Sequence, residues 1–184
     1  IDYDDLIKEN MPQIQAYYQT LKSAHDAEAQ TIKTTLFAFL ENDEDYNNLS
    51  DKGKQMAQSI INGFGTEFYS SDEMKDKSWA EIAAWMDTNV VQKLQNTDNM
   101  AEFEETFNLQ TKFNNGDVPV DEYLEKIDAL TTWLESQGFD KEVIASVKVM
   151  FDYDNIQTKM NSAKDLLDDK GDKQVGKLTD SDLD

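Results

Sequence analysis

The sequence contains no cysteine and no arginine, a single histidine, and only two prolines among its 184 residues. The missing cysteine excludes disulfides, thiolate metal sites and cysteine nucleophiles together. The 38 acidic residues outnumber the 17 lysines and give a formal net charge of −21. Because phosphate contacts need basic patches and arginine supplies most bidentate base contacts, we expect no nucleic-acid partner and no adhesion to anionic membranes.

The sequence also lacks a run of about 18 apolar residues, so no part of it is expected to insert into a membrane. It shows no signal peptide. Because the chain begins with Ile1 and ends in "TDSDLD", we expect it to be a piece excised or processed from a larger protein. The length fits one domain of ordinary size, and the charge favours solubility through mutual repulsion.

Apolar residues recur three and four positions apart through most of the chain, and this spacing predicts helices nearly everywhere. The fold class expected is all-α, with one long N-terminal helix followed by a bundle of about five or six shorter amphipathic helices. We predict a long helix within residues 1–45, a helical bundle over 46–168, and an acidic, mobile tail over 169–184.

The long helix is predicted to begin near Pro12 and to reach about Glu41. Its apolar positions follow a heptad-like stripe made of Met11, Ile14, Tyr18, Leu21, His25, Ile32 and Phe39, which Glu28 and Thr35 interrupt. The stripe suits a coiled-coil seam with a second chain, or packing of the helix back onto its own domain. The sequence leaves both alternatives open.

The shorter helices carry clear end signals. Ser50 is expected to cap a helix that ends at Gly63 and Gly65, and Ser78 with Glu81 forms a capping-box pattern. A short helix around Met100 follows, and further helices are expected to open at Pro119 and Asp140 and near Ile156. The aromatic residues expected at the centre of the bundle are Trp79, Trp85, Phe103, Phe107, Tyr123 and Trp133.

Few residues suggest chemistry. His25 is the only histidine, so it cannot build a histidine-based metal site, and a packed helix position is the simpler interpretation. Carboxylates are abundant, but acid–base catalysis requires one of them in a desolvated pocket, and these fall mostly on polar helix faces and in loops. We therefore predict no catalytic, cofactor-binding or metal residues, and no enzyme.

The acidic loops "ENDEDYNN", "DYDN" and "DDKGDK" could hold calcium loosely, but none has the ligand spacing of an EF-hand. The "GFG" at Gly63–Gly65 indicates a helix exit and not a nucleotide loop, because no strand precedes it. Trp79, Trp85 and Trp133 could form a carbohydrate platform, although tryptophans at helical spacing more often belong to a core.

The order of the segments carries more information than any residue. "DYNNLSDKGKQMAQSIINGF", "SWAEIAAWMDTNVVQKLQN", "FNLQTKFNNGDVPVDEYLEKIDALTTWL" and "FDYDNI" follow one another between about Thr31 and Leu167. This order resembles a segment of the tail tape measure proteins of phages and prophages of Gram-positive bacteria.

The resemblance implies a non-enzymatic, helical structural domain that acts in tail assembly and contacts other tail proteins. It implies a place in the virion tail, or in the bacterial cytoplasm during assembly. The sequence departs from the family in having no long hydrophobic segment and no hydrolase motif. The alternative is a secreted or surface-associated helical interaction module of a Gram-positive bacterium that binds a protein or wall ligand.

Overall fold

The computed structural model describes residues 32–171, with side chains described over 32–167. The described chain is all-helical, which confirms the predicted class. Helix α1 covers residues 32–40 of this range. The later helices are α2 (Glu44–Asn47), α3 (Asp51–Asn62), α4 (Thr66–Tyr69), α5 (Trp79–Met86), a π-helical turn (Asp87–Val91), a 3₁₀ turn (Gln92–Gln95), α6 (Thr97–Asn114), α7 (Val120–Ser136), α8 (Lys141–Met150) and α9 (Tyr153–Gly171).

The helix starts follow from the sequence. The Ser50 hydroxyl accepts a hydrogen bond from the Gly53 amide at 3.1 Å, and so caps α3 as predicted. The capping box at α5 is confirmed, because Ser78 accepts from the Glu81 amide while Glu81 accepts from the Ser78 amide. These bonds satisfy amides that have no partner inside the helix and stabilise each start by about 1 kcal/mol.

Several predicted elements need correction. The helix around Met100 is not short, since α6 runs for 18 residues. The helix after Ser78 does not continue regularly to Leu94, because it passes into the π-helical turn and then the 3₁₀ turn. The one-turn helices α2 and α4 were also not predicted. Short turns of this kind leave little periodicity to recognise in the sequence.

The core is one cluster to which most of the described helices contribute. Helix α6 packs along α7, while α8 lies between α7 and α3. Tyr123, Phe103 and Phe151 are the largest fully buried side chains. The Tyr123 hydroxyl donates to the Phe151 carbonyl oxygen at 2.9 Å, which ties α7 to the turn that precedes α9.

The predicted aromatic centre is only partly right. Phe103 and Tyr123 are fully buried, whereas Trp85, Phe107 and Trp133 are half-buried against the core. Trp79 is wrong as a core residue, because 39% of it is exposed. It occupies the first position of α5, where the helix begins at the surface.

The long N-terminal helix lies mostly outside the described residues. Within the described part, Leu36 and Leu40 are buried in the common core. The described residues 32–40 therefore pack with the bundle. At the other end, α9 extends to Gly171, and the rest of the predicted tail lies outside the described range.

Candidate functional site

The most unusual polar feature is a cluster of three carboxylates, Asp43, Asp45 and Asp87. One oxygen from each residue lies within 4.8 Å of the others, and all three side chains are half-buried. Asp43 is the N-cap of α2 and accepts from the Asp45 amide at 3.2 Å. Asp87 is more than 40 residues away in sequence and begins the π-helical turn.

Two glutamine side chains enclose this carboxylate cluster. The Gln92 amide nitrogen donates to Asp87 at 2.9 Å and to Asp45 at 3.3 Å. The Gln95 amide nitrogen donates to the other oxygen of Asp45 at 3.3 Å. The π-helical and 3₁₀ turns set this arrangement, because they shift the register that a regular α-helix would give residues 87, 92 and 95.

Asp87 has a raised pKa. Burial and a hydrogen bond shared with Asp43 raise its pKa from 3.8 to about 7, and the hydrogen bond from Gln92 opposes this shift. Because burial disfavours the charged form and the neighbouring carboxylate repels it, Asp87 keeps its proton up to near neutral pH. One oxygen of Asp87 is buried and accepts no hydrogen bond.

The carboxylate cluster offers oxygen atoms that a hard cation such as Ca²⁺ or Mg²⁺ prefers. Its three carboxylates hold six oxygen atoms, and several of their lone pairs already accept hydrogen bonds from amides. The cluster therefore suits a protonated Asp87 better than a bound cation. The acidic loop "ENDEDYNN" was recognised in the sequence, but Asp87 was not.

A groove of about 440 Å³ opens beside α1 and α5. Its lining includes the exposed Trp79, together with Ile32, Tyr69, Met74, Lys75, Lys77 and Ile82. Burial raises the pKa of Tyr69, whose hydroxyl is shielded from solvent and has no hydrogen-bond partner. A second groove of about 310 Å³ separates α3 from α6 and is lined by Met56, Phe107 and polar side chains.

The remaining candidates are distributed as follows. His25 and the loop "DDKGDK" lie outside the residues with described side chains. Trp85 packs against the rings of Phe64 and Phe68, and the Trp133 indole donates to Asn99 at 3.0 Å. Of the three tryptophans, only Trp79 lines either of the two grooves described above.

The carboxylate cluster and the two grooves do not coincide, since neither groove is lined by Asp43, Asp45 or Asp87.

Among the described residues, no helix is long and apolar enough to cross a membrane. The chain matches no protein-family model, and no curated protein and no solved structure is similar to it.

Proposed function

We propose that this chain is a non-enzymatic structural domain of the tail tape measure type, which acts in phage or prophage tail assembly with other protein chains as its partners. The supporting observation is that two of the quoted segments each contain a complete helix together with its capping residue. The segment beginning "DYNNLS" contains α3 with its Ser50 cap, and the segment beginning "SWAE" contains α5 with its Ser78 cap. These two segments of the resemblance therefore fold as capped helices, in the order in which they occur in the sequence.

The physical properties suit that role. A chain that is packed with other proteins and then released benefits from local helical contacts and from the absence of disulfides. The net charge of −21 also repels DNA, so the domain would not adhere to a genome passing beside it. Tight binding of duplex DNA at physiological salt would contradict this part of the proposal.

The test is to induce the prophage and purify intact particles. Mass spectrometry of the particle fraction is expected to find peptides of this chain together with tail-tube and baseplate proteins. The matched control is the same strain without induction. Peptides found only in the cell-wall or culture fraction, or a coding region flanked by a sortase signal in place of tail genes, would contradict the proposal.

Trp79 favours a second candidate, a secreted or surface interaction module. Its exposed indole lies in a groove with the apolar side chains of Ile32 and Met74. The groove volume of about 440 Å³ is in the range of ligand sites. Titration with peptidoglycan fragments or host proteins is expected to change the tryptophan fluorescence of the native chain. The Trp79→Phe variant, which keeps Trp85 and Trp133, is expected to show no such change. Unchanged fluorescence with both ligand classes would contradict this candidate.

A further inference from the structure

The groove beside α1 and α5 has walls that the core holds in place. Ile32 comes from α1, Tyr69 ends α4, and Ile82 lies on α5. Tyr69, Met74 and Ile82 belong to the core cluster, and Ile32 packs against it. Because packing fixes these side chains, the groove is preformed, as most small-molecule sites are.

The wall of this groove includes a buried polar side chain without a partner. Tyr69 is only 7% exposed, and its hydroxyl is shielded from solvent and forms no hydrogen bond. The Tyr69 ring packs edge-on against Phe68, with ring centroids 5.2 Å apart. A buried hydroxyl usually has a hydrogen-bond partner, and the lack of one costs free energy. An acceptor oxygen on a ligand in the groove would supply the missing partner.

The charged side chains on the described lining of the groove are both lysines, Lys75 and Lys77. Lys75 lies 3.1 Å from Asp72 in an exposed pair, which contributes little in water. Within residues 32–167, no carboxylate forms an ion pair with Lys77. In a chain with a net charge of −21, a groove with two cationic side chains is locally complementary to an anion.

The same groove offers a flat apolar surface. The Trp79 side chain is largely exposed for its type and lies on the groove lining. Aromatic rings pack favourably against one another in offset or edge-to-face arrangements. A ligand with an aromatic ring can therefore contact the indole while its charged end lies near the lysines.

We propose that this groove binds a small organic anion with an aromatic body and one carboxylate. The aromatic body packs on Trp79 and Ile32, and Lys75 and Lys77 attract the carboxylate. One carboxylate oxygen accepts a hydrogen bond from the Tyr69 hydroxyl. The groove volume of about 440 Å³ is sufficient for such a molecule.

The first experiment uses hydrocinnamate as the probe and follows the tryptophan indole signals of the isotope-labelled full chain by NMR. The Trp79 signal, assigned with Trp79→Phe, is expected to shift saturably, whereas the signals of Trp85 and Trp133 stay in place. A Kd of about 1–5 mM is expected for a ligand of about 11 non-hydrogen atoms. The absence of a saturable shift of the Trp79 signal at roughly 20 mM would overturn the proposal.

The neutral amide of hydrocinnamate tests the charge preference, because it keeps the ring and an acceptor oxygen. At low salt the amide is expected to bind about two- to fivefold more weakly than hydrocinnamate. Lys77→Gln is expected to remove most of this preference. The matched control is Lys52→Gln, which removes a lysine that lines the other groove and is expected to change nothing. Equal affinity of the native chain for the acid and the amide would overturn the choice of an anion.

Tyr69→Phe separates ligand binding from stability. In the free chain the change removes a hydroxyl that has no partner, so urea denaturation is expected to show equal or greater stability. The variant is expected to bind hydrocinnamate about two- to tenfold more weakly, because the carboxylate loses a donor. Reduced stability would mean that the hydroxyl already has a partner, and unchanged affinity would mean that the ligand does not reach it. Either result would overturn the hydrogen bond assigned to Tyr69.

This inference goes beyond both functions proposed above, since it names the ligand chemistry of one groove and is tested on the purified chain. The tail function is tested on intact particles, and the second candidate is tested with peptidoglycan fragments and host proteins. A failure to bind hydrocinnamate can therefore be distinguished from a failure of either proposed function.

Discussion

Folding raises the pKa of Asp87 far above the value of an ordinary aspartate. Its pKa is about 7 in the folded chain, against an ordinary value of 3.8. A raised pKa means that the folded state binds the proton more tightly than the unfolded state does. The resulting stabilisation is complete below about pH 3.8 and is lost as the pH rises towards 7.

We therefore expect Asp87→Asn to reduce this pH dependence. Asparagine has the shape of the protonated carboxyl and carries no charge, so at pH 8 the variant should have a higher free energy of unfolding than the native chain. At pH 5 the difference should be smaller than at pH 8, because a large part of the stabilisation from the protonated Asp87 is still present at pH 5. Urea denaturation at both pH values measures the difference.

The control for this prediction is Asp117→Asn, which removes the same charge from an exposed residue. This variant corrects for the general benefit of lowering a net charge of −21. Equal gains at pH 8 from the two variants would show that Asp87 contributes no more than its share of the overall charge.

Tyr123 offers a second test at the residue scale. Its buried hydroxyl donates to the Phe151 carbonyl oxygen at 2.9 Å. Tyr123→Phe leaves that carbonyl without this donor, and we expect a loss of about 1–2 kcal/mol of unfolding free energy in chemical denaturation. Tyr46→Phe is the matched control, since Tyr46 accepts from the exposed Gln58 and water can replace that bond.

At the scale of elements, the helix caps could be predicted from the sequence, whereas contacts between distant segments could not. The caps at Ser50, Ser78 and Asp140 act within three residues, so the sequence alone located them. The carboxylate cluster joins Asp43 and Asp87 across more than 40 positions and depends on a π-helical turn. No spacing in the sequence encodes such a juxtaposition, and for this reason the loop "ENDEDYNN" could be noticed while its partner could not.

The contact between α3 and α8 shows a similar long-range dependence. Gly63 ends α3 directly against Ser146 of α8, whose hydroxyl donates to the Ile60 carbonyl oxygen. A Cβ added at Gly63 would lie 2.5 Å from the Ser146 backbone oxygen. The sequence indicated only a helix end at this glycine, because Ser146, which packs against it, lies 83 residues further along the chain.

We expect Gly63→Ala to lower the free energy of unfolding by about 1–3 kcal/mol, because the backbone of α8 must move to admit the methyl group. Gly65→Ala is the matched control, since a Cβ there meets nothing within 4 Å. Thermal denaturation of both variants, followed by circular dichroism, makes the comparison. Equal melting temperatures would mean that the α3–α8 contact can relax without cost.

At the scale of the whole molecule, the excess of acidic residues is the main electrostatic influence on stability. Lys126 lies 2.7 Å from Glu105 and 3.8 Å from Glu102, but half-exposed pairs of this kind contribute little to stability. Repulsion among the remaining carboxylates acts over the whole surface and opposes the compact state. The fold is therefore stabilised mainly by its apolar core, in spite of its charge.

This balance predicts the response to salt. Raising NaCl from about 0.01 M to about 0.15 M shortens the Debye length from roughly 30 Å to roughly 8 Å, so repulsion across the surface is screened. We expect the melting temperature to rise over this range and then to level off, because the contacts between near neighbours are screened less. Sucrose is the control, since it stabilises compact states without screening charge. A melting temperature that falls with NaCl would mean that ion pairs outweigh repulsion. Such a balance would require many more close lysine–carboxylate contacts than those of Lys75 and Lys126.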